Sequence, residues 1–241
     1  MILRAEWTKL HTIRSTAWLL LAAATSTIAL GAATVALTTG PDPVAAGLSG
    51  VYCGQIAIVV LAVSVMTNEY ASGLVSTTLV CAPRRTGVLL AKAATVIATV
   101  ISTGLASVTG SLVAARILVG DQGLTVTSGP TLRAALGTVL YLSLVTLLSL
   151  GIATALRHTA AALTTVLSLL YLFPLLAQFI GDERWHIRIE RYAPMSAGLA
   201  VQATTNLGDL PIGPWSGLGV LAAYAGAALL LGAVLFITRD A

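Results

Sequence analysis

The chain has 241 residues, 57% of them hydrophobic and only 9% charged, and its mean hydropathy is +0.93. Soluble domains carry about 25% charged residues, so this balance excludes a water-soluble globule, a disordered chain and a basic nucleic-acid-binding module. The net charge is a modest +4, so the placement of the charges matters more than their sum. An all-α integral membrane protein remains, and at roughly 20 residues per span the length admits about six crossings.

The first eighteen residues, Met1–Trp18, read as a helix lying on the membrane surface. Leu3, Trp7, Leu10 and Arg14 follow a three-to-four spacing, with Ile13 and Ala17 beside them, and Trp7 and Trp18 suit the headgroup level. The chain therefore divides into an interfacial helix, 1–16, and a six-span membrane domain, 17–241. The spans are predicted at Ala17–Thr38, Leu48–Thr67, Ala93–Val119, Leu132–Leu156, Thr159–Ile180 and Trp215–Thr238. The first is a permanent span, because its apolar core is too long for a cleaved signal. Pro174 is predicted to kink the fifth. In the sixth, Ala222 and Gly226, and Ala228 and Gly232, form small-residue pairs that let helices approach closely.

Two connections are long. In loop 68–92, Val75 and Leu79 are four apart and Thr78 continues the turn, which predicts a short helix ended by Pro83 and followed by Arg84 and Arg85. In loop 181–214, Arg184–Tyr192 alternates polar and apolar residues, with Trp185, Ile187 and Ile189 on one side. Met195–Thr204 reads as a short helix after Pro194, and the whole connection as a re-entrant element or a surface loop. With an even number of spans both termini share one side. That side holds Arg4, Lys9, Arg14, Arg84, Arg85, Lys92, Arg157 and Arg239, so the excess of basic residues places both termini and loop 68–92 in the cytoplasm.

Several chemistries are missing from the sequence. No Gly-Lys pair occurs, so a phosphate-binding loop of the G-x-x-x-x-G-K-[ST] type is impossible. Gly47-Leu48-Ser49-Gly50 matches the short motif of intramembrane serine proteases. Catalysis would need a histidine within reach of Ser49 at the outer end of the second span; His11 and His158 are placed on the cytoplasmic side, and His186 is on the outer side but in a loop rather than a span. Isolated histidines and the two cysteines, Cys53 and Cys81, suggest no metal site and no disulfide scaffold. The absence of carboxylates in mid-span weakens a proton- or sodium-coupled transporter. Gln55 and Gln178 are the most polar residues near span interiors, suited to contact cargo or to bond between helices.

The N-terminal stretch from Ala5-Glu6-Trp7 to Ile13-Arg14-Ser15-Thr16 resembles the opening of ABC-2 type transporter permeases of high-GC bacteria. Glu69-Tyr70-x-x-Gly73, Thr77-Thr78-Leu79, Pro83-Arg84-Arg85 and Ala91-Lys92 resemble the first cytoplasmic loop of the same family. The resemblance covers essentially the whole chain, with departures at Leu74, where the family often has threonine, and at His11, where arginine is commoner. It implies a type V exporter-like permease in the bacterial cytoplasmic membrane, dimeric with itself or with a similar permease. This chain would bind no cofactor, and ATP and Mg2+ would sit on a separate ABC ATPase subunit. The N-terminal helix would be the connecting helix, and loop 68–92 would carry the coupling helix.

On that reading Glu69, Gly73, Val75, Thr78, Leu79, Pro83, Arg84 and Arg85 form the coupling site. Val75 and Leu79 give an apolar ridge, Gly73 close approach or a sharp bend, and Glu69 a pair with Arg4, Lys9, Arg14, Arg84 or Arg85. A cargo path for a hydrophobic or amphipathic compound is expected along spans two and five, with Tyr52, Gln55, Tyr171, Phe173 and Gln178 as candidates, since such a cavity needs apolar walls with a few polar groups. Membrane lipid is the expected surrounding partner and nucleic acid is not a partner. Two other readings compete: a membrane immunity or sensory protein that binds a peptide or antibiotic without pumping, and an autonomous secondary transporter.

Overall fold

In hydrocarbon the backbone must satisfy its own hydrogen bonds, so apolar runs of this length form helices. The computed structural model describes residues 2–38, 42–73, 85–120, 128–179 and 183–238, and among these there is no strand. The helices in chain order are α1 Ile2–Thr12, α2 Arg14–Leu37, α3 Pro43–Leu48, α4 Val51–Ala71, α5 Arg85–Val119 and α6 Gly129–Leu156. There follow α7 Thr159–Leu167, α8 Phe173–Phe179, α9 Glu183–Tyr192, α10 Pro194–Leu199 and α11 Pro214–Thr238. Six segments of the described chain are long and apolar enough to cross a membrane: α2, α3 with α4, α5, α6, α7 with α8, and α11. The chain is thus a multi-pass helical membrane protein.

The bundle is built around α6. Within its most apolar stretch 72% of residues are buried, against 22% in α2 and in α11, so α2 and α11 present most of their surface outward. Helix α6 packs on α4, α5, α7 and α11, while α2 packs on α4 and α5. Close contact depends on missing side chains at two crossings. A Cβ on Gly50 would lie 1.9 Å from the Thr27 carbonyl oxygen, and one on Gly232 would lie 2.6 Å from that of Gly151. The Ala228–Gly232 face therefore packs inside the chain. Around Gly226 nothing lies within 4 Å, and Ala222 is exposed.

The elements differ from the sequence expectation in five places. The N-terminal helix is not continuous to Trp18: Ile13 is extended (φ −83°, ψ 114°), α1 ends at Thr12, and Arg14 already belongs to the first span helix. Helix α1 packs against α5 with Leu10 and Glu6 buried, and a straight helix could not both make that contact and continue as α2. The connection expected over 68–92 is shorter. Helix α4 runs on through Ala71 and α5 starts at Arg85, because their ends pack together and against α1.

Pro174 acts one turn earlier than a simple kink. It has no N–H for the carbonyl four residues back, and its ring crowds that position. The preceding segment Ser168–Leu172 widens into a π-helix between α7 and α8. Arg184–Tyr192 lies within a helix, α9. Its Trp185, Ile189 and Tyr192 fall on one helical face, and all three line a small cavity with Phe173 and Tyr224. The helix expected over Met195–Thr204 is α10 followed by a 3-10 turn, Ala200–Gln202.

Candidate functional site

The most unusual chemistry sits where α1, α4 and α5 meet. Lys92 lies on the same face of α5 as Val88, Val96 and Val100 and is only 2% exposed. An isolated buried ammonium would lose its proton or unfold its surroundings. Here Lys92 Nζ donates to Glu6 Oε2 at 2.8 Å and to Glu69 Oε1 at 2.8 Å. Lys9 closes the cluster, donating to Glu6 Oε1 at 3.3 Å and to the same Glu69 Oε1 at 3.1 Å. Two carboxylates and two ammonium groups cancel, so the cluster is neutral as a unit.

Burial pushes the Glu6 carboxyl up, but Lys92 and then Lys9 outweigh it and hold Glu6 below the ordinary carboxylate value. Burial likewise pushes Lys9 down, but Glu69 and then Glu6 hold its ammonium above the ordinary value. The cluster ties three chain segments that the sequence separates widely. Helix α4 ends just beyond it at Ala71, and Gly73, two residues on, has a left-handed φ of 69°. Nearby, the turn between α6 and α7 is fastened to the same end of α4. The Arg157 guanidinium lies 5.0 Å over the Tyr70 ring, and Thr159 Oγ1 donates to Thr67 Oγ1 at 2.9 Å. A cavity of about 760 Å³ opens beside the cluster between α1, α2 and α4.

The opposite end of the bundle holds a second polar assembly. Gln55 is fully buried in α4; its Oε1 accepts from the Tyr141 hydroxyl at 2.5 Å, and its Nε2 donates to the Tyr171 hydroxyl at 2.9 Å. Tyr171, in the π-helical segment, donates to the Tyr52 carbonyl. Above this layer lies a cavity of about 530 Å³ lined by Ser49, Tyr52, Gln178, His186, Glu190 and Gln202, among others. Its rim is fastened by Asp42, which caps α3 through Ala45 N–H at 3.0 Å and accepts from Thr204 N–H at 2.5 Å and Thr204 Oγ1 at 2.7 Å. Burial raises the Asp42 carboxyl, but these hydrogen bonds hold it below the ordinary value.

Of the expected coupling residues, Glu69 lies in the last turns of α4 and Gly73 just after it, and Glu69 takes Lys9 as one partner. Its second partner, Lys92, was not among those expected. Val75, Thr78, Leu79, Pro83 and Arg84 lie outside the described residues, as does the side chain of Arg85. Of the expected cargo-path residues, Tyr52, Gln55 and Tyr171 come together and Gln178 lines the same cavity as Tyr52. Gln55 is an interhelical hydrogen-bond hub, with no exposed surface to offer a ligand. Phe173 lies apart, in the small cavity with Trp185 and Tyr224.

Ser49 and His186 line one cavity, yet no nucleophile–base pair forms. Ser49 Oγ lies 2.7 Å from the Ala46 carbonyl and 3.0 Å from Thr34 Oγ1, while His186 Nδ1 lies 3.7 Å from Glu190. Among the described residues no three His, Cys, Asp or Glu side chains are grouped to hold a metal. No known protein family matches the chain, and no curated protein sequence does.

Proposed function

We propose that this chain is the membrane permease subunit of a bacterial ABC-2 type exporter, working as a dimer with a separate ATPase. It would move a hydrophobic or amphipathic cargo out of the cytoplasm. The observation that carries this reading is the Glu6–Lys9–Glu69–Lys92 cluster. A permease without its own nucleotide site must receive force from outside, through the connection between its second and third spans. That force reaches the bundle only if the roots of the connection are rigid. The cluster makes α1, the end of α4 and the start of α5 one body, so a push on the segment between Gly73 and Arg85 would move two spans and the connecting helix together. The cavity above Gln55 would then be the place where cargo leaves or is held.

The deciding experiment is affinity purification of the tagged permease from the membrane of the cells that make it, with any copurifying ABC ATPase identified by mass spectrometry. Stoichiometric recovery of the ATPase, with hydrolysis that responds to the permease, is the expected result. A permease recovered alone under conditions that preserve its folded helical state would overturn the reading.

A further inference from the structure

We propose that the cavity beside the charge cluster binds a zwitterionic phospholipid carrying a primary amine, of the phosphoethanolamine type. The cavity has the size of a small-molecule site and two chemically distinct ends. One end is polar: Lys9, Asn68, Glu69 and Ser72 line it. The other is apolar, formed by Trp18 and Leu19 of α2 and by Val60, Leu61 and Val65 of α4. Trp18 is 68% exposed, so the apolar end is continuous with the surface that these spans turn outward. An amphipathic ligand entering from the bilayer would keep its chains in hydrocarbon and bring its headgroup to the charges.

The free valences of the cluster choose the headgroup. Both Lys9 and Lys92 donate to Oε1 of Glu69, and Oε2 accepts no hydrogen bond from the described residues. An ammonium has three donors, and Lys9 directs only two of its own to carboxylates while remaining 44% exposed. Among the described residues the site therefore lacks one donor at Glu69 and one acceptor at Lys9. A phosphoethanolamine headgroup supplies both, its ammonium to Glu69 and its phosphate to Lys9. A choline headgroup has the same charges but no N–H to give. A phosphoglycerol headgroup brings a negative charge to a neutral cluster and leaves the Glu69 oxygen without a cation.

The inference rests on membrane insertion alone and not on export, and its test needs no ATPase, so its failure leaves the export reading standing. The purified full chain is exchanged into mixed micelles holding equal amounts of phosphatidylethanolamine, phosphatidylcholine and phosphatidylglycerol, and retained lipids are counted by native mass spectrometry. Phosphatidylethanolamine is expected to be retained about tenfold over each of the others, the ratio that one charge-assisted hydrogen bond supplies. Glu69→Gln places an amide donor against the ammonium and should erase the preference. Ser64→Phe, on the cavity wall away from the charges, fills the cavity with the cluster intact and should abolish retention even if Glu69→Gln fails to fold. Equal retention of the three lipids, or wild-type retention by Ser64→Phe, overturns the proposal.

Discussion

Lys92 and Glu6 are separated by 86 residues in sequence, yet Lys92 Nζ lies 2.8 Å from Glu6 Oε2, with both side chains almost wholly buried. Replacing a buried ion pair whole is often neutral, but removing one partner strands the other. Lys92→Met leaves Glu6 and Glu69 facing each other with only the half-exposed Lys9 between them. It should destabilise the protein by about 3–5 kcal/mol, the range for breaking a buried pair. Lys9→Met removes an exposed partner and should cost about 0–1 kcal/mol. Unfolding of both variants in detergent, followed by circular dichroism, measures the difference. Equal stabilities would mean that Lys92 is not the centre of the cluster.

The same cluster sets a pH window. Glu6 has a depressed folded value, so its contribution is present above its unfolded value of 4.5 and is lost as pH falls through the folded one. Asp42 acts in the same direction from an unfolded value of 3.8. Lys9 has a raised folded value, so its contribution is complete below 10.5 and is lost as pH rises through the folded value. Thermal stability should thus be flat with respect to these three groups from about pH 5 to 10 and fall on both sides. Glu6→Gln should shrink the acid limb and leave an alkaline limb from Lys9. An acid limb unchanged by both Glu6→Gln and Asp42→Asn would remove these carboxylates as its cause.

The spans were legible because length and apolarity decide them locally, and predicted and observed ends agree within a few residues except where polar pairs extend the helices. Lys92 shows why the site was not. A lysine normally marks a water-facing flank, which puts Lys92 at the end of loop 68–92 in the sequence. Its place four residues after Val88 and four before Val96 puts it on the apolar stripe, and a lysine on that stripe signals a buried partner. The identity of the partner depends on how α1 folds back, which no local spacing encodes. At Arg184–Tyr192 the same residues satisfy both a two-residue and a three-to-four-residue period. There the packing of Trp185 and Ile189 with Tyr192, against Phe173 and Tyr224, favours the helix.

Helix α11 offers a paired comparison between two glycines on one span. A side chain at Gly232 meets the backbone of Gly151 in α6, whereas one at Gly226 meets open space. Gly232→Leu should force α6 and α11 apart and cost about 1–3 kcal/mol or more, since the nearest atom is a backbone oxygen of α6 rather than the end of a flexible side chain. Gly226→Leu should leave the stability of the single chain unchanged or slightly raised. If Gly226→Leu instead lowers the mass of the purified particle from dimer to monomer, that open face is where two chains meet. Size-exclusion chromatography with light scattering reads this directly.

The last prediction concerns force transmission, and it follows from how Glu69 is shared. Its Oε1 takes hydrogen bonds from Lys9 on α1 and Lys92 on α5, while Glu69 itself closes α4. Glu69→Ala removes the carboxylate that joins α4 to both. It leaves the 2.8 Å pair of Lys92 with Glu6 in place, so the buried ammonium keeps a partner and the chain should still insert. Under the proposed export function the ATPase should still dock, because the docking ridge expected at Val75 and Leu79 is untouched. Hydrolysis should continue while transport falls by about tenfold or more, the factor that corresponds to about 1.4 kcal/mol of lost coupling. Leu79→Asp should act differently and lose the ATPase itself. The measurement is cargo movement and phosphate release in the same proteoliposomes, with the amount of bound ATPase quantified. Glu69→Ala vesicles that pump at the wild-type rate, at equal permease and ATPase content, would show that the joint between α1, α4 and α5 carries no force.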